Sequence, residues 1–426
     1  MCAALPPRRR SLPLSARRRS RTAGRVPVPS EATVENTLLG IRLAPAPHQP
    51  AWEDAAQVAR VRTELAARPP LVSGGDVHLL RSQLARVAAG EARVIQAGDC
   101  AEDPDECTAG HVARKAALLD LMAGALGLLT HRPVLRAGRI AGQYAKPRSR
   151  PVETVGGVEL PVFRGHMVNS PEPDPDARRP DPLRLLTGYM AARDVLRHLG
   201  WPPSAGARER GIGARVWTSH EALLLDYEVP MLRRDDDGRL LLASTHWPWI
   251  GERTRQVDGA HVALLAEVAN PVACKVGPRM TAGDLLALCS RLDPEREPGR
   301  LTLIARMGAD IVADALPPLV AAVHGAGHPV IWLTDPLHGN TVTAPGGLKT
   351  RFVGTAGREA AAFRRAVEDA GGVAGGLHLE TTPDAVTECV EDASAVHRVG
   401  GGAYTTFCDP RLTPDQALSV ISAWGG

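Results

Sequence analysis

Short apolar runs recur along this chain, each closed by a glycine or a polar group, and most are followed by a helical pattern of apolar residues. That alternation constrains the fold more than any other feature, because strands interleaved with helices form a parallel sheet. The runs predict strands over Arg93–Gln96, Val134–Arg139, Ala214–Thr218, Leu241–His246, Pro271–Val276, Leu301–Met307, Pro329–Thr334 and Gly376–Glu380. Helical periodicity falls between them at Val112–Leu129, Leu183–His198, Gly259–Glu267, Ala282–Arg291, Asp310–His324 and Arg358–Asp369. Eight such units in about 300 residues fit a (β/α)8 TIM barrel, whose active site lies at the C-terminal ends of the strands. An open doubly wound sheet is the alternative, but the first strand is not followed by the Gly-rich loop that such sheets use for dinucleotides.

The rest of the chain is divided by composition. Residues 1–30 hold eight Arg and no acid, a disordered type of tail; the net charge of +3 therefore leaves −5 on the remainder. Residues 31–90 read as an N-terminal helical extension, with helical patterns at Trp52–Leu65 and Val77–Ala89 separated by Pro69-Pro70. Residues 91–426 form the predicted barrel. Between the second and third strands, Pro147–Arg184 is polar and Pro-rich, an expected active-site loop followed by an exposed excursion.

Composition excludes several classes. The mildly acidic body argues against a nucleic-acid binder. The tail lacks the apolar segment of a secretory signal, and no apolar run approaches the ~18 residues that span a bilayer. Seven cysteines, widely spaced and without Cys-x-x-Cys, make neither a disulfide framework nor a zinc finger. The expected setting is the cytoplasm.

The strand ends carry the chemistry. Cys100 follows the first strand between Asp99 and Glu102, which favours a metal-binding thiolate over a buried apolar thiol. The second runs into a loop bearing Arg139, Lys146, Arg148 and the hydroxyl of Ser149, a set suited to phosphate or carboxylate. Glu252 and Arg253 follow the fourth strand, Lys275 ends the fifth and Arg306 the sixth. A cation closing an apolar strand is buried and unpaired unless an anion or a neighbouring acid meets it. His338 follows the seventh strand and Glu380 ends the eighth. In a closed barrel strands seven, eight and one are neighbours, which brings both to Cys100. Asp409 completes a Cys/His/Glu/Asp set suited to a borderline divalent ion. The thiol of Cys408, next to Asp409, is expected near Cys100 and open to oxidation with it.

Five segments resemble a known family: Gln96–Glu102, Arg139–Ser149, Trp249–Gln256, Thr334–Thr341 and Cys408–Leu412. They are similar to class II (plant-type) 3-deoxy-D-arabino-heptulosonate 7-phosphate (DAHP) synthase, and the likeness covers roughly Trp52–Leu418. The resemblance implies a transferase that condenses phosphoenolpyruvate with erythrose 4-phosphate in the first step of the shikimate pathway. It also implies a TIM barrel, a divalent metal (Mn²⁺ or Co²⁺ first, with Mg²⁺, Fe²⁺ or Zn²⁺ as alternatives) and a homo-oligomer, dimer or tetramer. By the same resemblance the metal ligands are Cys100, His338, Glu380 and Asp409. Phosphoenolpyruvate meets Arg139, Lys146, Glu252, Arg253, Lys275 and Arg306, and the aldose phosphate meets Arg148 and Ser149. Lys146, Arg139 and His338 form the catalytic group, with Lys146 the candidate for proton transfer. The sequence departs from the family's pattern at Thr381-Thr382-Pro383-Asp384, where a Thr-Gly pair is usual, and at Glu391-Asp392, where glycines are usual. Its compact form is similar to members that serve secondary metabolism. A different barrel aldolase and a non-catalytic regulator are the rival readings.

Overall fold

The computed structural model describes residues 39–41, 43–201 and 215–425. The Arg-rich tail, residues 31–38 of the extension and Ala214 of the predicted third strand lie outside the described residues.

Two helices lead in, α1 (Ala55–Ala67) and α2 (Gly74–Ala88). Each begins where a side-chain oxygen satisfies a bare amide: Asp54 accepts from Gln57 N and Ser73 from Asp76 N. One face of α2 buries Val77, Leu80, Leu84 and Val87. That face closes the N-terminal mouth of the sheet, where Arg81 donates to Ala269 O and Val87 meets Gly375.

The barrel strands are β1 (Arg93–Gly98), β2 (Val134–Arg139), β3 (Val216–Ser219), β4 (Trp249–Ile250), β5 (Val272–Val276), β6 (Leu301–Ala305), β7 (Ile331–Thr334) and β8 (Val373–Glu380). They form one sheet of eight strands in the order β3-β2-β1-β8-β7-β6-β5-β4, each pair parallel. The seam between β3 and β4 is closed by Trp247 N to Thr218 O at 3.1 Å and Trp249 N to His220 O at 3.0 Å, with a parallel bridge at Glu221–Trp249. Outside the ring run α3 (Ala109–Thr130), α4 (Leu183–His198), α5 (Ala260–Glu267), α6 (Ala282–Leu292), α7 (Val312–Gly325), α8 (Val353–Asp369) and α9 (Pro414–Trp424). Among the described residues no helix is long and apolar enough to cross a membrane.

The fourth strand is a correction. The apolar run predicted over Leu241–His246 is not in the barrel. Leu240–Leu242 pairs antiparallel with Leu232–Arg234 in a hairpin, and the barrel strand is the two-residue Trp249–Ile250. Burial makes the run apolar whichever sheet it joins. The Asn270 side chain does a strand's work there, accepting from Leu242 N and donating to Leu242 O and Thr245 O. A second difference lies after β2, where the excursion contains a hairpin, Val152–Val155 with Val158–Pro161.

Register then fixes the site. Gly98 stands opposite Arg139 on one side and Glu380 on the other, so β1, β2 and β8 deliver their last residues to one row. The close approach of β8 to β1 needs Gly376, whose φ is 151° and where a Cβ would lie 1.9 Å from Val94 O. We expect Gly376→Ala to force these strands apart, lower the melting temperature by several degrees and weaken metal binding at the strand ends. Thermal melts and metal titration check this, and wild-type values for both would contradict it.

Candidate active site

A polar layer fills the barrel beneath the row. Gln96 accepts from His378 Nδ1 at 2.6 Å and donates to Ser219 Oγ at 2.7 Å. His378 Nε2 faces Arg139 Nη1, a group that only donates, so Nε2 accepts and the proton sits on Nδ1. Burial, with Lys275 and Arg139 nearby, pushes the His378 imidazole well down and keeps it neutral. Arg139 is thereby fixed: Nε donates to Asp99 O at 3.0 Å, Nη2 reaches Glu380 Oε1 at 2.8 Å, and its face lies 5.1 Å from the Trp249 ring.

Three of the four expected metal ligands cluster at the C-terminal ends, and the fourth, His338, stands beside one of them. Donor atoms of Cys100, Glu380 and Asp409 all lie within 4.8 Å of one another. His338 joins them through Nε2, 3.3 Å from Glu380 Oε1. Cys100 Sγ lies 3.4 Å from Asp409 Oδ2. Donors bound to one tetrahedral ion, with ~2.0–2.3 Å bonds, stand ~3.3–3.5 Å apart, so both spacings fit a shared ion. Each carboxylate also has its other oxygen held by a cation: Arg351 Nη1 is 2.7 Å from Glu380 Oε2, and Lys349 Nζ is 2.8 Å from Asp409 Oδ1. His338 Nδ1 lies 2.7 Å from Asp335 Oδ2, which leaves the Nε2 lone pair for an ion, the arrangement metal-binding histidines use. The donor set therefore fits a divalent cation.

Charge is shared unevenly. Burial alone would raise the Glu380 carboxyl, but His338, Arg351, Arg139 and Lys146 hold it far below the usual range. Burial would lower Lys146; Cys100, Glu380 and Asp409 outweigh that and hold it above its ordinary value. Its Nζ lies 3.7 Å from Glu380 Oε1 and 4.0 Å from Asp409 Oδ2. Burial also pushes the Cys100 thiol well up, and the Cys408 thiol that shares a hydrogen bond with it is lowered by that bond.

The other expected binding residues line the same end. Arg253 donates to Ser149 Oγ at 2.8 Å and to Pro147 O at 3.0 Å. Arg148 lies 3.0 Å from Glu153 and 3.4 Å from Cys408 Sγ. Arg306 Nη2 donates to His338 O at 3.1 Å. Lys275 differs from the simplest expectation, because it already has a protein partner in the buried Asp335. Burial pulls Lys275 down to about 8 even though Asp335 opposes the shift. Glu252 pairs with Arg255 at 2.8 Å.

Several residues, or the parts they play, were not picked out by sequence. Arg351 and Lys349 come from the hairpin Thr341–Thr343 with Lys349–Arg351 and carry no local signal. Glu221, just after β3, has an unpartnered Oε1; burial raises its carboxyl, and Lys146, Lys275, Arg139 and Arg253 are the charges it feels. Glu102, beside the thiol, accepts backbone N–H bonds from Ala141, Gly142 and Gln143. Those bonds hold Ala141 at φ 65°, a conformation that costs a residue with a Cβ ~1 kcal/mol or more.

Comparison with known proteins identifies the family. The model of the class-II DAHP synthetase family matches residues 37–209 and 204–423. The chain belongs to that family. A probable phospho-2-dehydro-3-deoxyheptonate aldolase of Pseudomonas fluorescens is 58% identical over 92% of this chain and 97% of its own length. Phospho-2-dehydro-3-deoxyheptonate aldolases of Streptomyces coelicolor and Mycolicibacterium smegmatis are 41% and 39% identical, over 88% of this chain and 94% and 91% of theirs.

Arg351 is fully buried and holds the oxygen of Glu380 that faces away from Cys100, His338 and Asp409, the candidate ligands beside it. Arg351→Met keeps the bulk and removes the clamp. We expect metal affinity to fall about 10–100-fold, read by competition with a chelating dye. Unchanged affinity would contradict the role.

Proposed function

We propose that this chain is a DAHP synthase, condensing phosphoenolpyruvate with erythrose 4-phosphate and water to give 3-deoxy-D-arabino-heptulosonate 7-phosphate and phosphate. The observation that carries the reading is the meeting of Cys100, His338, Glu380 and Asp409 beside Arg139, Lys146, Lys275 and Arg306. None of the four ligands is lost, which disfavours a non-catalytic regulator. Family membership disfavours a different barrel aldolase.

The roles follow from position. Lys275 and Arg306 end adjacent strands and hold the anionic groups of phosphoenolpyruvate together with Arg139, Lys146 and Arg253. Glu252 braces that side through Arg255. Arg148 and Ser149 lie on the loop after β2 and meet the phosphate of the aldose. Cys100, His338, Glu380 and Asp409 would hold a divalent ion, Mn²⁺ or Co²⁺, which would supply Lewis acidity toward the aldehyde oxygen. Holding both substrates in one pocket makes the attack of C3 on the aldehyde carbon effectively unimolecular. Lys146 is held protonated and stands where it can give a proton to the oxygen that gains charge. Glu221 faces the same cations with a raised carboxyl and takes the proton of the water that adds at C2. Collapse at C2 then releases phosphate.

The direct test is phosphate release with both substrates. Protein stripped by a chelator is expected to lose turnover and regain it with Mn²⁺ or Co²⁺. Full activity in verified metal-free protein would overturn the metal's role, and no activity with added metal would overturn the reading. A second expectation concerns pH. Lys275 is needed charged, and its value of about 8 means the charge is present below that pH and lost above it. The KM for phosphoenolpyruvate is expected to rise across roughly pH 7 to 9 in the wild type and much less in Lys275→Arg, whose guanidinium stays charged. A flat KM in the wild type would contradict this.

A further inference from the structure

A second cluster of donor atoms lies away from the catalytic end, where α2 meets the hairpin of Leu232–Arg234 with Leu240–Leu242. His78 comes from α2, and Asp235 and Asp237 come from the turn of the hairpin. Donor atoms of the three lie within 4.8 Å of one another. The Asp235 side chain is only 2% exposed, yet its Oδ2 has no hydrogen-bond partner, and neither has His78 Nε2.

These two atoms face each other at 3.4 Å, an ion-pair distance, without a hydrogen bond between them. That is long for a hydrogen bond between a carboxylate and an imidazole, and the pair does not align as one. It matches the ~3.4 Å edge of a tetrahedron around an ion with ~2.0–2.1 Å bonds to nitrogen and oxygen. The remaining contacts prepare the cluster. Asp235 Oδ1 accepts from Asp237 N at 3.0 Å and Arg239 N at 2.8 Å, which aims Oδ2 at His78. Arg239 Nε stands 3.7 Å from Asp235 Oδ2, and its Nη2 holds Asp237 Oδ2 at 2.8 Å. Helix α2 approaches so closely that a Cβ on Gly74 would lie 2.7 Å from Asp235 Cβ.

We propose that His78, Asp235 and Asp237 form a second divalent-metal site, of the tetrahedral zinc type with one position left to water. The ion pins α2, which closes the N-terminal mouth of the barrel, to the hairpin that precedes β4. It is structural, and its donors are nitrogen and oxygen only, whereas the catalytic set includes a thiolate. That difference makes the two sites separable by spectroscopy.

The test uses the full chain, stripped by a chelator, loaded with Co²⁺ and desalted. Two equivalents of cobalt per chain are expected, only one of them giving the charge-transfer absorption of a thiolate ligand. His78→Ala and Asp237→Asn are expected to retain one equivalent, with the thiolate band and the phosphate-releasing activity intact. The metal-dependent rise in melting temperature shrinks in both. Asp237 is 67% exposed, so its substitution leaves folding undisturbed. One equivalent in the wild type, or two in both variants, would overturn the proposal while leaving the catalytic reading untouched.

Discussion

Glu380 is a charge buried at the centre of the molecule, and the rest of the site is arranged around it. A carboxylate with no exposed surface costs several kcal/mol to desolvate unless opposite charges meet it. Arg139 meets one oxygen from β2 and Arg351 meets the other from the hairpin after β7, with His338 and Lys146 completing the surround. These partners come from two distant stretches, Arg139 with Lys146 and His338 with Arg351, so the charge is compensated only once β1, β2, β7 and β8 are side by side. Closure of the barrel and assembly of the site are therefore one event.

Around that centre, other buried acids shape backbone rather than chemistry. Glu102 gathers three amides of the loop after β2 and presents Lys146 and Arg148. Glu359, on α8, accepts from Met307 N and Gly308 N and from Asn340 Nδ2, tying the backbone after Arg306 to the turn that carries His338. Burial raises its carboxyl to about 7. Glu388 binds Arg411, which also reaches Asp99, and so fastens the segment bearing Asp409 to the end of β1. Each loop that brings a candidate ligand is anchored by an acid outside that set.

Much of this was legible in the sequence because buried parallel strands write themselves as apolar runs, and a polar residue at the end of such a run is conspicuous. Cys100, Arg139, Lys275, Arg306 and Glu380 were visible for that reason. The fourth strand was not, since two residues make no pattern, while the longer apolar run before it, whose hydrogen bonds the Asn270 side chain completes, lies outside the barrel. Arg351 and Lys349 sit in a Gly-rich hairpin that reads as solvated surface; only folding reveals that Arg351 is buried. Glu221 was hidden because the seam it borders is built from irregular backbone. The acids flanking Cys100 drew attention to the thiol, yet Asp99 answers Lys115 and Arg411, and Glu102 holds amides. Sequence locates a charge but does not say which neighbour it answers.

The central claim is that one ion is shared by a thiolate, an imidazole and two carboxylates drawn from four distant stretches of chain. X-ray absorption at the cobalt edge of protein loaded with a single equivalent tests it most directly. The account predicts one sulfur at ~2.3 Å with nitrogen and oxygen neighbours at ~2.0–2.2 Å, and loss of the sulfur shell in Cys100→Ser. A first shell of oxygen and nitrogen alone in the wild type would contradict it.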